Sequence, residues 1–187
     1  MSLEFSRRSF LKYTAVAAVA VAGASMFSGC EQTDTKNISC TGAGAITVLQ
    51  VTAEMGTKGK DGKYTVDALA AGQTELEFPF KITVGRTNNL PINATNFKVT
   101  VTSKDGKTVK KYTSPKVTLE GNLGDTNLPK DSSASGTVKV TVDALAAEDK
   151  VVLTYCPDLQ YAEYSLNWTL TVPAAEKKEE ASEEAKG

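Results

Sequence analysis

The chain has 187 residues, 21 Lys and Arg against 22 Asp and Glu, a formal net charge of −1 and no histidine. That length suits one domain with a buried core. The missing histidine excludes Ser-His-Asp and Cys-His catalysis, His-ligated zinc or copper and the usual near-neutral proton shuttle, and the balanced charge supplies no basic field for nucleic acid.

The first twelve residues carry Arg7, Arg8 and Lys12 against one acid, Glu4, and residues 13–28 are uncharged and rich in Ala and Val. A basic segment followed by an apolar one is the layout of an export signal. The uncharged run falls short of the roughly 20 apolar residues that a spanning helix needs. Within the basic segment, Ser6-Arg7-Arg8-Ser9-Phe10-Leu11-Lys12 resembles the twin-arginine export motif, S-R-R-x-F-L-K, at every specified position. The resemblance assigns the signal to Arg7, Arg8, Phe10, Leu11 and Lys12. It implies a bacterial translocase that carries folded proteins, and the motif is an address read by a receptor, not an anchor.

The apolar run closes on Phe27-Ser28-Gly29-Cys30, which resembles the bacterial lipobox, with Phe27 in place of the usual Leu. The resemblance implies that Cys30 takes a diacylglyceryl thioether and becomes the mature N-terminus, so residues 1–29 are expected to be removed as a helical signal segment. Acyl chains contribute about 0.8 kcal/mol per buried CH₂, and two of them give stable anchoring. The remainder has three more acids than bases. Cys40 and Cys156 then form an even pair, which in an exported chain reads as a disulfide; two buried free thiols are the alternative.

Residues 30–43 are small and polar and read as the lipidated terminus with its spacer, and residues 44–173 as the folded domain. In chain order the period-two pattern of half-buried strands predicts strands at 45–53, 63–67, 75–84, 97–102, 108–112, 115–119, 136–143, 150–156 and 164–172. The clearest is ELEFPFKITV at 75–84, where Leu76, Phe78, Phe80, Ile82 and Val84 share one face. Pro79 lacks an N–H, which predicts a sheet edge or a bulge there. Asp61-Gly62 and Asp105-Gly106 are hairpin signals, and 121–136 reads as a long polar loop. TVDALAA occurs at 65–71 and again at 141–147; similar strand-to-loop transitions explain the repeat better than duplication does, and Leu69 and Leu145 are expected in the core. Residues 174–187 are charged and lack branched or aromatic side chains, the composition of a disordered tail. Many short strands without an amphipathic helix predict an all-β fold, an antiparallel β-sandwich with Trp168 and the aromatics of 76–80 between the sheets. A barrel is the alternative.

The segments FKITVGRTNNLPINATNFKVTVTSKDGK (80–107) and LPKDSSASGTVKVTV (128–142) resemble the immunoprotective-extracellular-type domains of bacterial surface lipoproteins. The resemblance implies an Ig-like sandwich and assigns no function by itself.

Candidate chemistry is sparse. Glu120, Asp125 and Asp131 could offer oxygens to calcium, but their spacing fits no EF-hand. Solvated loop acids are the simpler reading. Asn93-Ala94-Thr95 and Asn167-Trp168-Thr169 match a glycosylation pattern that the bacterial-type signal makes irrelevant. Tyr155, Tyr161 and Tyr164 cluster near Pro157 and belong to the core or to a binding patch. The expectation is therefore a non-enzymatic module with no catalytic residue, no metal site and no cofactor. It is held by its lipid to the extracytoplasmic face of the bacterial cell membrane, where it binds or scaffolds an unknown protein or glycan. An accessory subunit of an exported complex, such as a redox complex, would instead expose a sizeable apolar patch. A carboxylate-based hydrolase would show a cleft with two acids about 5–10 Å apart.

Overall fold

The computed structural model describes residues 37–174 apart from 86–88, 125 and 162. The export signal and Cys30 lie outside the described residues, as does the C-terminal tail from 175 onward.

Two five-stranded sheets hold the core. Sheet I runs β1 (Ile38–Thr41), β14 (Leu166–Thr171), β13 (Lys150–Tyr155), β8 (Phe97–Thr102) and β9 (Val109–Tyr112). Sheet II runs β10 (Val117–Gly121), β12 (Ser133–Thr141), β6 (Glu75–Val84), β3 (Val51–Met55) and β2 (Gly44–Val48). Neighbours are antiparallel except β1, which lies parallel to β14. Two small ribbons, β4 (Thr57–Lys58) with β5 (Tyr64–Thr65) and β7 (Leu90–Ile92) with β11 (Thr126–Leu128), close the ends. The described residues are all-β, as their alternation predicts, and form a sandwich of two open sheets.

β6 alternates over its whole length, with Leu76, Phe78, Phe80, Ile82 and Val84 buried and the residues between them exposed or half-buried. Its aromatic side chains meet those of sheet I across the gap. The Phe80 ring stands edge-on to Phe97 at 5.2 Å, to Tyr155 at 5.7 Å and to Trp168 at 5.2 Å between centroids. Such edge-to-face contacts add about 0.5–1.5 kcal/mol each beyond the area they bury. Trp168 is fully buried, and its Nε1 donates to the Gly44 carbonyl at 2.9 Å. That carbonyl lies where the chain leaves β1 for β2, so one indole ties the crossing between sheets to the core. Gly42 turns the crossing at φ 76° and donates to Thr169 O at 2.8 Å.

Several features depart from expectation. The predicted strand 45–53 is a hairpin: β2 and β3 meet through Leu49 and Gln50, both left-handed at φ 48° and 59°. Those angles fit the primed turn that matches strand twist, normally built from Asn and Gly. Leu49 packs its side chain against the core, and Gly85 N donates to Gln50 O at 2.7 Å. The expected spacer contains β1, whose backbone pairs with β14 although its residues alternate only between half-buried and exposed. The loop 121–136 contains β11 and the first residues of β12. Pro79 sits in a central strand, without an edge or a bulge. β3 ends opposite Phe80, and Gly56, at φ 96°, donates back to Pro79 O at 2.7 Å, so on the side where Pro79 lacks its donor the ladder has already finished. Leu69 and Leu145 are buried as expected. The second TVDALAA copy hydrogen-bonds to residues just after the first, through Gly72 N to Leu145 O at 2.8 Å and Leu145 N to Gln73 O at 3.0 Å.

The Cys40–Cys156 disulfide is overturned: both residues are free cysteines. Register gives the reason. Cys40 on β1 stands opposite Trp168 of β14, whereas Cys156 follows Tyr155, which stands opposite Leu166 across the other edge of β14. The two cysteines are therefore two strands apart, about 10 Å, and offset along the strands by about as much again. A disulfide needs its α-carbons within about 7 Å. Cys156 Sγ instead donates to Asp158 O at 3.3 Å, and burial pushes both thiols up from their ordinary pKa.

Candidate functional site

Most of the polar side chains singled out in the sequence have structural work. Asn93 caps the 3-10 turn Ala94–Asn96, accepting from Thr95 N at 3.0 Å, and Asn96 Oδ1 accepts from Asn93 N at 2.9 Å. Asn96 is itself buried and joins its corner to sheet I: its Nδ2 donates to Cys156 O at 3.0 Å, and its carbonyl accepts from Cys156 N at 2.8 Å. Asn167 accepts from Thr154 Oγ1 at 2.8 Å and donates to Ile38 O at 3.3 Å, fastening β1 to the sheet. The tyrosines do not form one patch. Tyr155 is core, Tyr164 is half-buried against the core, and the side chain of Tyr161 lies outside the described residues.

The described acids near 120–131 are each beside a lysine. Glu120 is held by Lys139 at 3.0 Å, Asp131 sits left-handed at φ 59° beside Lys130, and Asp125 lies outside the described residues. Among the described residues no three His, Cys, Asp or Glu side chains are placed to hold a metal ion.

A small cavity of about 60 Å³ opens where β8 and β9 meet the segment after β12, lined by Ser103, Lys110, Tyr112, Asp143 and Asp149 among others. About 10–15 Å³ accommodates one water, so the space suits a few waters rather than a sugar ring. Asp143 binds Lys110 Nζ at 2.7 Å, and that hydrogen bond and charge hold its carboxyl below the usual range while raising the lysine. A general acid for glycoside cleavage needs the opposite shift. Asp149 Oδ2 accepts from Ala146 N at 2.8 Å, which shapes the turn into β13.

The two outer faces differ in kind. On sheet II the outward side chains include exposed Glu75, Glu77, Glu120 and Lys81 with half-buried Glu54 and Lys139, and its lysines are paired with glutamates. Lys139 Nζ lies 2.9 Å from Glu77 and 3.0 Å from Glu120, and Lys81 lies 3.8 Å from Glu54. Glu54 also accepts from Tyr64 Oη at 2.6 Å; burial, that hydrogen bond and the glutamate's charge push the phenol up to about 12. On sheet I the register places Thr41, Thr169, Val152, Thr100 and Lys111 in one row across all five strands. The neighbouring rows contain Lys98 and Lys150 among Ser, Thr and Asn, and among the described residues of this face there is no Asp or Glu. The large exposed hydrophobics of the described residues, Val109 and Leu159, lie towards opposite ends of sheet I and make no common patch.

Residues 4–24 match the model of the twin-arginine translocation pathway signal sequence. The match indicates export across the cytoplasmic membrane to its outer side. No curated protein matches the chain significantly.

Proposed function

We propose that this chain is a lipoprotein tethered through Cys30 on the extracytoplasmic face of the membrane, with an Ig-like sandwich that works as a non-enzymatic binding or scaffolding module. The observation that carries this reading is the order of features at the N-terminus. A twin-arginine signal at 4–24 is followed within six residues by Cys30 behind two small residues, ahead of the first described strand. The Ig-like assignment draws support from strand order. Sheet II runs β10-β12-β6-β3 and sheet I contains β14-β13-β8, the arrangement of the four-strand and three-strand sheets of an Ig-like domain. The tryptophan stands on the last strand instead of the third, and the inter-sheet disulfide of antibody domains has no counterpart among the described residues. The non-enzymatic reading draws support from polar side chains committed to caps, ladders and ion pairs.

Two substitutions separate route from tether. Arg7→Lys/Arg8→Lys should abolish export and leave precursor in the cytoplasm. Cys30→Ser should keep export but shift the protein from the detergent-soluble membrane fraction to material released by a salt wash. A Cys30→Ser protein that partitions as the wild type does would end the tether reading.

A further inference from the structure

We infer that the outer face of sheet I is a docking surface for an anionic lipid bilayer, so that the tethered domain lies on the membrane with sheet II turned outward. The inference rests on the lipid anchor proposed above and deepens it by assigning the face that meets the lipid.

Two independent observations point to this occupant. The first is charge. Lys98, Lys111 and Lys150 stand on this face about 8–14 Å apart, judged from strand spacing and rise, and none takes part in an ion pair of the described structure. The remaining positions of the face are mostly Thr, Ser and Asn, which can hydrogen-bond to phosphate or glycerol oxygens without adding charge. The acids bordering the β8–β9 end are partly neutralised: Asp105 faces Lys107 at 3.7 Å, and Glu148 faces Lys104 at 2.7 Å; at the other end Asp158 and Glu163 lie near Cys156, as Lys98 does, on the loop after β13 and beyond the rows of the face itself. Sheet II could not serve, because its lysines are bound to glutamates that would be brought against the lipid phosphates. The anionic membrane surface attracts a basic residue by about fivefold in affinity, so three lysines supply on the order of a hundredfold.

The second observation is where the tether enters. β1, the first described strand, is the edge of sheet I, and the chain reaches sheet II only after the Gly42–Gly44 crossing. Eight residue steps separate Cys30 from Ile38, a reach of at most about 26–29 Å. A strand is about 20 Å long, so the tether is long enough for sheet I to lie flat and short enough to keep it at the surface.

The test uses the acylated protein purified from its own membranes and reconstituted in two kinds of vesicle, phosphatidylcholine alone and phosphatidylcholine with about one-third phosphatidylglycerol. Lysines are labelled with a water-soluble amine reagent and read peptide by peptide by mass spectrometry. In anionic vesicles Lys98, Lys111 and Lys150 should label on the order of tenfold more slowly than in neutral ones. Lys81 and Lys130 should be unchanged, and high salt should abolish the difference. Equal labelling in the two vesicles would overturn the inference. So would slow labelling of these lysines in whole cells without dependence on vesicle charge, which would assign the face to a polyanionic glycan or a protein. The same digest contains the Cys30 peptide: an acylated peptide with uniformly reactive lysines refutes the docking face alone, whereas an unmodified one refutes the tether and the docking face together.

Discussion

Sheets I and II share one core yet meet solvent on opposite terms. Sheet II satisfies its charges internally: Glu77, Lys139 and Glu120 form a ladder across three strands, and Glu54 is shared by Lys81 and Tyr64. Sheet I leaves three lysines unspent among threonines. The difference teaches where to look for a partner when the cavity beside β8 and β9 holds only a few waters. A face whose charges already have partners loses interactions on docking. A face whose lysines form no ion pair with another side chain of the sheet can gain interactions, because exposed ion pairs contribute little to folding and their absence costs little.

The largest test of the comparison addresses what the sheets have in common. Trp168 belongs to sheet I but packs on Phe80 of sheet II and holds the crossing through Gly44. Trp168→Ala should cost about 3–5 kcal/mol. Urea unfolding followed by both tyrosine fluorescence and circular dichroism should still show one coincident transition. Two separated transitions would mean that the sheets are independent units, and the contrast between their faces would lose its common frame.

A smaller effect of opposite sign is expected at the β2–β3 turn. Gln50 is held left-handed at φ 59°, a conformation that costs a non-glycine residue roughly 1–2 kcal/mol. Gln50→Gly should therefore stabilise sheet II by about 1 kcal/mol, offset by the greater entropy of glycine in the unfolded chain. Loss of stability would show that the Gln50 side chain makes a contact worth more than the strain.

Alkaline pH isolates the sheet II network. The Tyr64 phenol keeps its proton to about 12, above the ordinary 10. Between those values the unfolded chain releases a proton that the folded chain retains. The stabilisation is complete below pH 10 and is lost as pH rises through about 12. Phenolate absorbance should show a late-titrating component that shrinks by one tyrosine in Tyr64→Phe, with a flatter alkaline limb of stability in the variant.

The smallest effect separates the faces themselves. Lys139→Ala should lower the thermal midpoint slightly at low salt and not at about 1 M salt, where the screening length falls to about 3 Å. Lys98→Ala should leave the midpoint unchanged at either salt. An equal response from both lysines would erase the distinction between paired and uncommitted charge.

Much of this architecture is written in local alternation. Strands β6 and β8 have the predicted bounds because a strand with one buried face must alternate along its whole length, and β13 and β14 fall within a residue or two. The parts that escape are those where a distant partner supplies the stability. β1 exists because β14 offers its edge, and Ile38-Ser39-Cys40-Thr41 contains too little apolar contrast to announce it. The hairpin at Leu49-Gln50 carries no Asn or Gly, since core contact replaces turn chemistry there. Pro79 shows that the rule for proline acts on one side of one residue rather than on a whole strand. The disulfide failed because cysteine arithmetic cannot see register. The same blindness hid the sheet I face: Lys98, Lys111 and Lys150 are scattered through the sequence, and only pairing brings them to one surface. The export signal, by contrast, is legible in full, because a receptor reads it as linear sequence.

The most direct measurement is the intact and N-terminal-peptide mass of the mature protein isolated from its native membrane. A chain that begins at Cys30 and carries the mass of a diacylglyceryl group on that residue is the expected result. A chain that begins elsewhere, or one whose Cys30 is unmodified, would contradict the tethered sandwich.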